Sequence, residues 1–370
     1  MKSLPIVGQA FAPHPPALLA DTVTADGHRR YCTYPFRLFG IASDLVKPCT
    51  WLRQARGTSV LPVEEAGGDL MEVWRSEVFD NVRRSIADGE YHHCNLEFCP
   101  EYKGAQKYFF TAEELRDRFP AIHDFVIGKD ANFRGGPEIV NLSHDTECNL
   151  SCPSCNRLEL PKLNHTQLRG FAETLPQLGG ELEYIFIAGM GDPFASQHYF
   201  QWLRTVDLAR FPKLKEIILN TNGILWNAET WRAIPEATRQ KIGTAVVSID
   251  GASRRTYEEN RYPAHWEALL ANLPFIASLR ERGEIKRLRA YFVYQWNNYH
   301  ELPAMVALCR AHQFDAVFFA RIAKWTGISQ WMHDSQDVAH PQHSAHQDFL
   351  RVAAATAQLS DDQLEVVVMR

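Results

Sequence analysis

The chain has 370 residues, of which 45% are hydrophobic and 22% charged, a composition that excludes a disordered chain or a mini-protein scaffold. No apolar run approaches the roughly 18 residues of a membrane span, and the N-terminus has no signal-peptide pattern. We therefore expect a soluble, cytoplasmic protein without a membrane partner. The formal net charge is −5, from 39 Lys and Arg against 44 Asp and Glu. With no basic block, this charge argues against nucleic acid as a partner.

The N-terminal part is predicted to consist of an arm, a small cysteine-containing module and a connector. Residues 1–30 are rich in Pro, Ala and Thr, which favours an irregular arm. Residues 31–105 combine short strand-like runs with apolar residues at helical spacing over 70–89, and this pattern predicts an α+β module. Residues 106–137 contain the turn-forming RGGP and are interpreted as the connector.

From residue 138 onward, apolar β-type runs alternate with helical stretches, as is typical of parallel βα units. The predicted strands are 138–144, 182–188, 214–220, 244–250, 288–295 and 315–322. Six repeats are too few for a closed eight-unit barrel, so a partial barrel over 138–328 or an open α/β sheet remains. Residues 329–370 form a C-terminal extension, whose histidines lie among polar residues and predict a solvated loop rather than a metal site.

Three closely spaced cysteines follow the first strand of this series. Cys148, Cys152 and Cys155 form a Cys-x3-Cys-x2-Cys motif within DTECNLSCPSCNR. Three thiolates can hold an iron–sulfur cluster and leave one iron without a protein ligand, where another molecule can bind. The alternative is structural zinc, which takes four ligands, and His144 is the only local candidate for the fourth. The ligand count favours the cluster.

The motif and its position resemble the radical S-adenosylmethionine (SAM) superfamily over residues 138–325. The resemblance implies that the three cysteines bind a [4Fe-4S] cluster whose fourth iron binds SAM. Reduction of the bound cofactor would release a 5′-deoxyadenosyl radical, which abstracts a hydrogen atom from the substrate. The resemblance also implies a partial (β/α)6 barrel of radical SAM type, oxygen sensitivity, and an electron donor such as flavodoxin or ferredoxin.

Polar residues at the carboxyl ends of the later strands support this resemblance, because parallel α/β folds gather their active sites at that edge. The segment AGMGDPF resembles the family's Gly-Gly-Glu-Pro loop near the methionine end of SAM. The segment at 248–251 resembles the family's Ser-Ile-Asp-Gly, which implies ribose contacts, and Tyr257 and Arg261 follow it. The cofactor-binding residues predicted in this way are Gly189, Gly191, Asp192, Asn222, Ser248 and Asp250.

Substrate contacts are predicted at the ends of the fifth and sixth strands, where side chains should ring the same opening. The candidates are Gln295, Asn298, Arg321 and Trp325. The alternative is that these groups cap helices and satisfy turns, as polar residues at strand ends also do.

Four further cysteines lie in the N-terminal module, at Cys32, Cys49, Cys94 and Cys99. Their arrangement resembles the SPASM or twitch modules of many radical SAM enzymes, although the module here precedes the barrel. This resemblance implies a second, auxiliary [4Fe-4S] cluster enclosed by four thiolates, with structural zinc as the alternative. Cys309, in a predicted amphipathic helix, is interpreted as a buried, inert thiol.

The sequence therefore predicts a radical SAM enzyme that modifies a peptide or protein, since enzymes with such modules often act on ribosomally made peptides. A small-molecule substrate, either a carbohydrate or a nucleoside intermediate, is the alternative. A zinc-stabilised binding protein without catalysis is the alternative of another class.

Overall fold

The computed structural model of the chain describes residues 19, 22–24, 27–53, 58–63, 68–96, 99–103, 107–130, 132–155, 160, 162–187, 189–324 and 329–369. Its residues divide into two compact units. The first unit comprises Met1–His144, Lys162–Ile185 and Asp207–Leu214. The second comprises Asp145–Pro161, Phe186–Val206 and Lys215–Arg370. All four N-terminal cysteines belong to the first unit, and the Cys-x3-Cys-x2-Cys motif belongs to the second.

The strands of the first unit are β1 (Arg30–Cys32), β2 (Leu38–Ala42), β3 (Leu45–Lys47), β4 (Leu61–Pro62), β5 (Phe109–Thr111) and β6 (Ile139–Ser143). Strand β1 pairs antiparallel with β5, so that Cys32 lies opposite Phe109. Strand β2 runs parallel to β6 and antiparallel to β3. Strand β4 then pairs antiparallel with β3. These pairings place Cys32 in one sheet and Cys49 two residues beyond the end of β3 in another.

The helices of the first unit are α1 (Leu70–Trp74), α2 (Glu77–Ala87), α3 (Pro100–Lys103), α4 (Ala112–Arg118), α5 (Pro120–Val126) and α6 (His165–Thr174). The single helical stretch expected over 70–89 is wrong, because Ser76 is extended and divides it. The Ser76 side chain accepts a hydrogen bond from the Phe79 N–H and caps α2. Strand β5 and helices α4 and α5 lie within 106–137.

The division between the units falls within β7 (Tyr184–Ile187). The strands of the second unit are β8 (Glu216–Thr221), β9 (Ile242–Ser248), β10 (Arg287–Tyr294), β11 (Ala316–Arg321) and β12 (Glu365–Val368). They are parallel and lie in chain order, each beside the next. Nearly continuous burial along β9 and β11 fits strands that are covered on both faces. Strand β12 adds the C-terminal extension to the sheet.

The helices of the second unit are α7 (Gln197–Thr205), α8 (Ala228–Arg232), α9 (Glu236–Arg239), α10 (Arg254–Asn260), α11 (Trp266–Glu281), α12 (Leu302–Ala311), α13 (Gln330–Gln336) and α14 (His346–Ala357). They alternate with parallel strands, and all six predicted strands are present. The fold class is therefore α/β, with the strand succession of a partial (β/α) barrel. No described helix is both long and apolar enough to cross a membrane.

The C-terminal histidines differ from the solvated loop expected for them. His333 is buried within α13, and His346 is the first residue of α14, where its ring contacts the Val338 carbonyl. The expectation of a loop is wrong for both residues. Ser329 caps α13 and starts a helix before His333, and a separate helix begins at His346. Cys309 lies buried in α12, as predicted.

Candidate active site

The loop that carries the Cys-x3-Cys-x2-Cys motif is fixed by the start of α7. The Asp145 carboxylate accepts hydrogen bonds from the Ser196 hydroxyl and from the Glu147 N–H. The Asp145 N–H donates to the Tyr199 hydroxyl over 2.9 Å. The Glu147 carboxylate accepts from the Gln197 N–H, at the first residue of α7. A helix N-terminus favours such anionic partners, so both carboxylates anchor the segment that leads into Cys148.

Two of the three thiols accept hydrogen bonds, from a backbone group within the motif and from side chains elsewhere in the second unit. The Cys148 sulfur accepts from the Leu150 N–H at 3.4 Å and from the Asn222 amide at 3.7 Å. The Cys152 sulfur accepts from the Arg261 guanidinium at 3.8 Å. Cys155 is joined to Cys152 by a backbone hydrogen bond of 3.0 Å. The three cysteines are partly exposed, so the loop presents its thiols at a surface of the unit.

Gly191 brings the loop after β7 against the cysteine loop. Its φ is +75°, and a Cβ atom there would lie 2.6 Å from the Asp145 carbonyl oxygen and 2.7 Å from that of Glu147. Only glycine fits both the backbone conformation and this close approach. Gly189, by contrast, is exposed. The neighbouring Asp192 N–H donates to the Glu147 carbonyl over 2.9 Å, which ties the two loops together.

The Asp192 carboxylate is buried and organises the end of β8. One oxygen accepts from the Phe194 N–H at 2.9 Å, and the other accepts from the Asn222 N–H and the Thr221 hydroxyl, both at 2.8 Å. Burial raises the pKa of Asp192, while these hydrogen bonds oppose the rise. Asp192 therefore positions Asn222, whose amide contacts Cys148.

Asp250 forms a buried ion pair with Arg261. The Asp250 Oδ2 atom lies 2.8 Å from Arg261 Nε, without the alignment of a linear hydrogen bond, and Oδ1 accepts from the Val293 N–H at 2.7 Å. Burial raises the pKa of Asp250, and the Arg261 charge opposes the rise. The pair fixes the guanidinium that contacts Cys152. Ser248, half-buried, ends β9 just before this pair.

The predicted substrate residues make contacts within the protein. Asn298 is buried, and its amide donates to the Asp250 and Val293 carbonyl groups, each at 3.0 Å. The Gln295 amide donates to Asn260 at 2.6 Å. The Arg321 side chain makes a two-pronged ion pair with Asp337, and Trp325 lies outside the described residues. These contacts support the turns after β10 and β11.

The four N-terminal cysteines line one cavity in the first unit. Its lining residues include the four cysteines together with Tyr34, Trp51, Tyr91, Glu101 and Phe109. The Trp51 N–H donates to the Cys49 sulfur over 3.4 Å. Burial raises the pKa of Cys49 to about 12, with the nearby Cys99 adding to the rise. The thiols surround a space, and no three His, Cys, Asp or Glu side chains among the described residues converge as ligands of a single metal ion.

Sequence reasoning does not assign the residues that hold the site together. In the sequence, Arg261 is recognisable only as a residue that follows the Ser-Ile-Asp-Gly segment. Its contact with Cys152 depends on its position at the C-terminal end of α10, which the sequence does not reveal. Asp145, Ser196 and Tyr199 form a clamp that no motif reveals. The one signal in the sequence is the acidic residue at 145, directly before the cysteine motif.

The sequence matches no family model, and no curated protein matches it. Several solved structures resemble the chain. For Streptococcus suis SuiB the TM-score is 0.46 and the identity 14%, over 80% of this chain and 62% of SuiB. For anSMEcpe with bound AdoMet the TM-score is 0.37 and the identity 16%, over 62% of this chain and 63% of that chain. For TYW1 with a lysine-pyruvate adduct the TM-score is 0.39 and the identity 14%, over 60% of this chain and 74% of that chain. In the comparison with SuiB the chain spans 62% of the SuiB chain, which is less than two thirds of its length.

Proposed function

We propose that the protein is a radical SAM enzyme. The observation that carries the proposal is the set of donors at the motif, where Leu150 and Asn222 contact the Cys148 sulfur and Arg261 contacts the Cys152 sulfur. Hydrogen bonds to sulfur and nearby positive charge stabilise thiolates that hold iron–sulfur clusters. The donor set therefore fits a [4Fe-4S] cluster held by Cys148, Cys152 and Cys155, with one iron open to SAM.

When bound, the cluster and SAM supply reductive cleavage of the cofactor and abstraction of a hydrogen atom from the substrate. The chain's own residues hold the ligands of this site in place. Asp192 positions the Asn222 amide, and Asp250 positions the Arg261 guanidinium. Gly191 and Asp192 contact the cysteine loop, and this contact supports the assignment of the Gly189–Asp192 loop to the methionine end of SAM. Ser248 and Asp250 are assigned to the ribose side from the resemblance of their segment to the family's Ser-Ile-Asp-Gly.

The second part of the proposal is an auxiliary [4Fe-4S] cluster at Cys32, Cys49, Cys94 and Cys99. Support comes from the shared cavity of these thiols and from the Trp51 N–H directed at the Cys49 sulfur. Thiols spread around a space suit a group with several irons, each of which takes one thiolate. Such a cluster has no open iron, so its role is electron transfer or shaping of the substrate pocket.

The substrate proposed for this enzyme is a peptide or protein, and the electron donor is a flavodoxin or ferredoxin. The substrate class rests on the resemblance of the N-terminal cysteines to SPASM or twitch modules. A deuterated peptide mixture should transfer deuterium into 5′-deoxyadenosine, whereas deuterated sugars or nucleosides should not. Transfer from either small-molecule mixture alone would overturn the peptide proposal and leave the radical chemistry standing.

The chemistry is tested by reconstituting the protein anaerobically with iron and sulfide and adding dithionite and SAM. The wild-type protein should form 5′-deoxyadenosine, and Cys152→Ser should reduce its formation to background. The matched control is Cys309→Ser, a buried cysteine in α12 outside both clusters, which should retain the wild-type rate. A protein that binds zinc in place of iron and forms no 5′-deoxyadenosine would refute the proposal.

A further inference from the structure

One face of the strands β8 to β11 carries polar side chains that are only half-buried. Side chains alternate between the two faces of a strand, and every second residue of β10 is fully buried, namely Leu288, Ala290, Phe292 and Tyr294. These residues face the helices, since the Tyr294 ring lies 4.7 Å from the Phe349 ring of α14. Arg289 and Tyr291 alternate with them, are half-buried and lie on the opposite face of the sheet.

The strand register places the residues of this opposite face in two neighbouring rows. In the first row, Arg289 lies beside Val246 of β9, which in turn lies beside Asn220 of β8. On its other side, Arg289 lies beside Ala316 of β11. The second row consists of Ser248, Tyr291 and Phe318. We call the face that carries these two rows the Arg289 face.

The polar side chains of the Arg289 face make no hydrogen bond to any residue that the structure describes; they are Asn220, Ser248, Arg289 and Tyr291. All four are half-buried and retain accessible surface. Burial raises the pKa of Tyr291 to about 12, and the nearby Asp250 adds to the rise, so the hydroxyl remains a donor at neutral pH. Polar groups that gather on one accessible face without internal partners are typical of a ligand site.

Arg289 supplies a positive charge that no carboxylate in the described part of the chain neutralises. Its guanidinium carbon lies 5.6 Å from the centre of the Phe318 ring, and it forms no ion pair there. Arg287, two positions earlier on the same face, lies 3.9 Å from Glu216. Glu365 of β12 shares the row of Arg289 but is exposed and stands two strands away. Because a guanidinium matches the two oxygens of a carboxylate, the charge of Arg289 suits an anionic group of a bound molecule.

We propose that Arg289 binds a carboxylate group of the peptide substrate and makes the enzyme selective for peptides that carry one. The proposal rests on the proposed function and defines its substrate more closely. Tyr291 stands directly beside Ser248, the residue assigned to the ribose side of SAM, and Arg289 precedes Tyr291 by two residues, about 7 Å of strand. A carboxylate at Arg289 therefore anchors the peptide next to the cofactor. Asn220 and Tyr291 offer further donors on the same face.

The test measures deuterium transfer into 5′-deoxyadenosine from four pools of short deuterated peptides. The pools contain acidic side chains, a free C-terminal carboxylate, neither of these, or basic side chains, and all but the second are amidated at the C-terminus. The wild-type protein should transfer deuterium about tenfold faster from a carboxylate pool than from the pool with neither, as expected for a charged hydrogen bond. The preferred pool identifies the source of the carboxylate. Arg289→Gln should abolish the preference, and Arg289→Glu should redirect it to the basic pool.

Arg287→Gln is the matched control, because Arg287 lies on the same face but beside Glu216. It should keep the wild-type preference. Arg289→Gln should keep the wild-type iron content, SAM affinity and rate of 5′-deoxyadenosine formation without peptide.

The outcomes separate this inference from the proposed function. Four results would overturn the inference while the wild-type protein still forms 5′-deoxyadenosine: equal wild-type rates from all pools, no transfer from any pool, equal losses in Arg287→Gln and Arg289→Gln, or weaker SAM binding in Arg289→Gln. A wild-type protein that takes up iron and forms no 5′-deoxyadenosine under any condition would overturn both.

Discussion

The side-chain amide of Asn222 donates a hydrogen bond to the Cys148 sulfur across 3.7 Å, although 74 positions separate the two residues in the sequence. The contact exists because Asn222 directly follows β8 and because the Asp192 carboxylate holds its N–H at 2.8 Å. Hydrogen bonds therefore link the end of β8, the loop after β7 and the cysteine motif. Substitutions of the residues that make these contacts should therefore affect the proposed cluster.

Asn222→Ala removes a donor to the Cys148 sulfur and should slow 5′-deoxyadenosine formation about tenfold or more, since groups that orient metal ligands typically matter to that extent. The matched control is Asn272→Ala, because the Asn272 amide supports the same turn through the Gly223 and Ile224 carbonyls but contacts no thiol. The measurement is the rate of 5′-deoxyadenosine formation by the two variants at equal iron loading. Equal losses in the two variants would show that Asn222 acts only through the turn.

Asp250→Ala breaks a buried ion pair and leaves Arg261 without its counter-charge. The loss should lower the free energy of unfolding by about 3 kcal/mol, as for other buried pairs that lose one partner. It should also weaken SAM binding while leaving the iron content nearly unchanged. Anaerobic denaturant unfolding and a SAM titration measure the two effects.

Glu267→Ala is the comparison for Asp250→Ala, because the ion pair of Glu267 with Arg254 is exposed. Its removal should change stability by about 1 kcal/mol or less. Unaltered SAM affinity in Asp250→Ala would remove Asp250 from the cofactor site. Unaltered stability would show that the ion pair with Arg261 contributes nothing to the fold.

Gly191→Ala should disrupt the cysteine loop, because its Cβ would meet the Asp145 and Glu147 carbonyl groups within 2.7 Å at a positive φ. Strain of this kind costs about 1–3 kcal/mol, and we expect lower iron retention after reconstitution. Gly180→Ala provides the control, since nothing lies within 4 Å of its Cβ position. Iron content per chain after gel filtration is the readout. Full iron content in Gly191→Ala would show that the loop tolerates a side chain there.

Much of the fold follows from local pattern, because buried parallel strands such as β9 and β11 read as apolar runs. The break at Ser76 is harder to predict, since Leu70, Val73, Phe79 and Val82 keep a helical spacing across it. The extended backbone at the cap interrupts the helix without changing that spacing. Periodicity alone therefore gives the helical segment but misses its division.

Within the site, the sequence leads to the residues but not to their partners. Asp192 and Asp250 stand at strand ends, as the resemblance requires, yet their carboxylates contact Asn222 and Arg261. A polar residue at a strand end can face a ligand or support a turn, and Asn298 supports the turn after β10. The sequence alone does not distinguish a side chain that faces a ligand from one that supports a turn. The positions remain predictions as ligand contacts.

The central claim is that Cys148, Cys152 and Cys155 hold a cluster with an iron open to SAM, and electron paramagnetic resonance of the reduced protein tests it most directly. In the wild-type protein, SAM should change the spectrum of one cluster. The variant with all three cysteines replaced by Ala should keep about half the iron, on the arithmetic of one four-iron site of two, show no response to SAM, and form no 5′-deoxyadenosine. A SAM response or wild-type cleavage in that variant would contradict the claim, and zinc in place of the remaining iron would replace the auxiliary cluster by a structural zinc site.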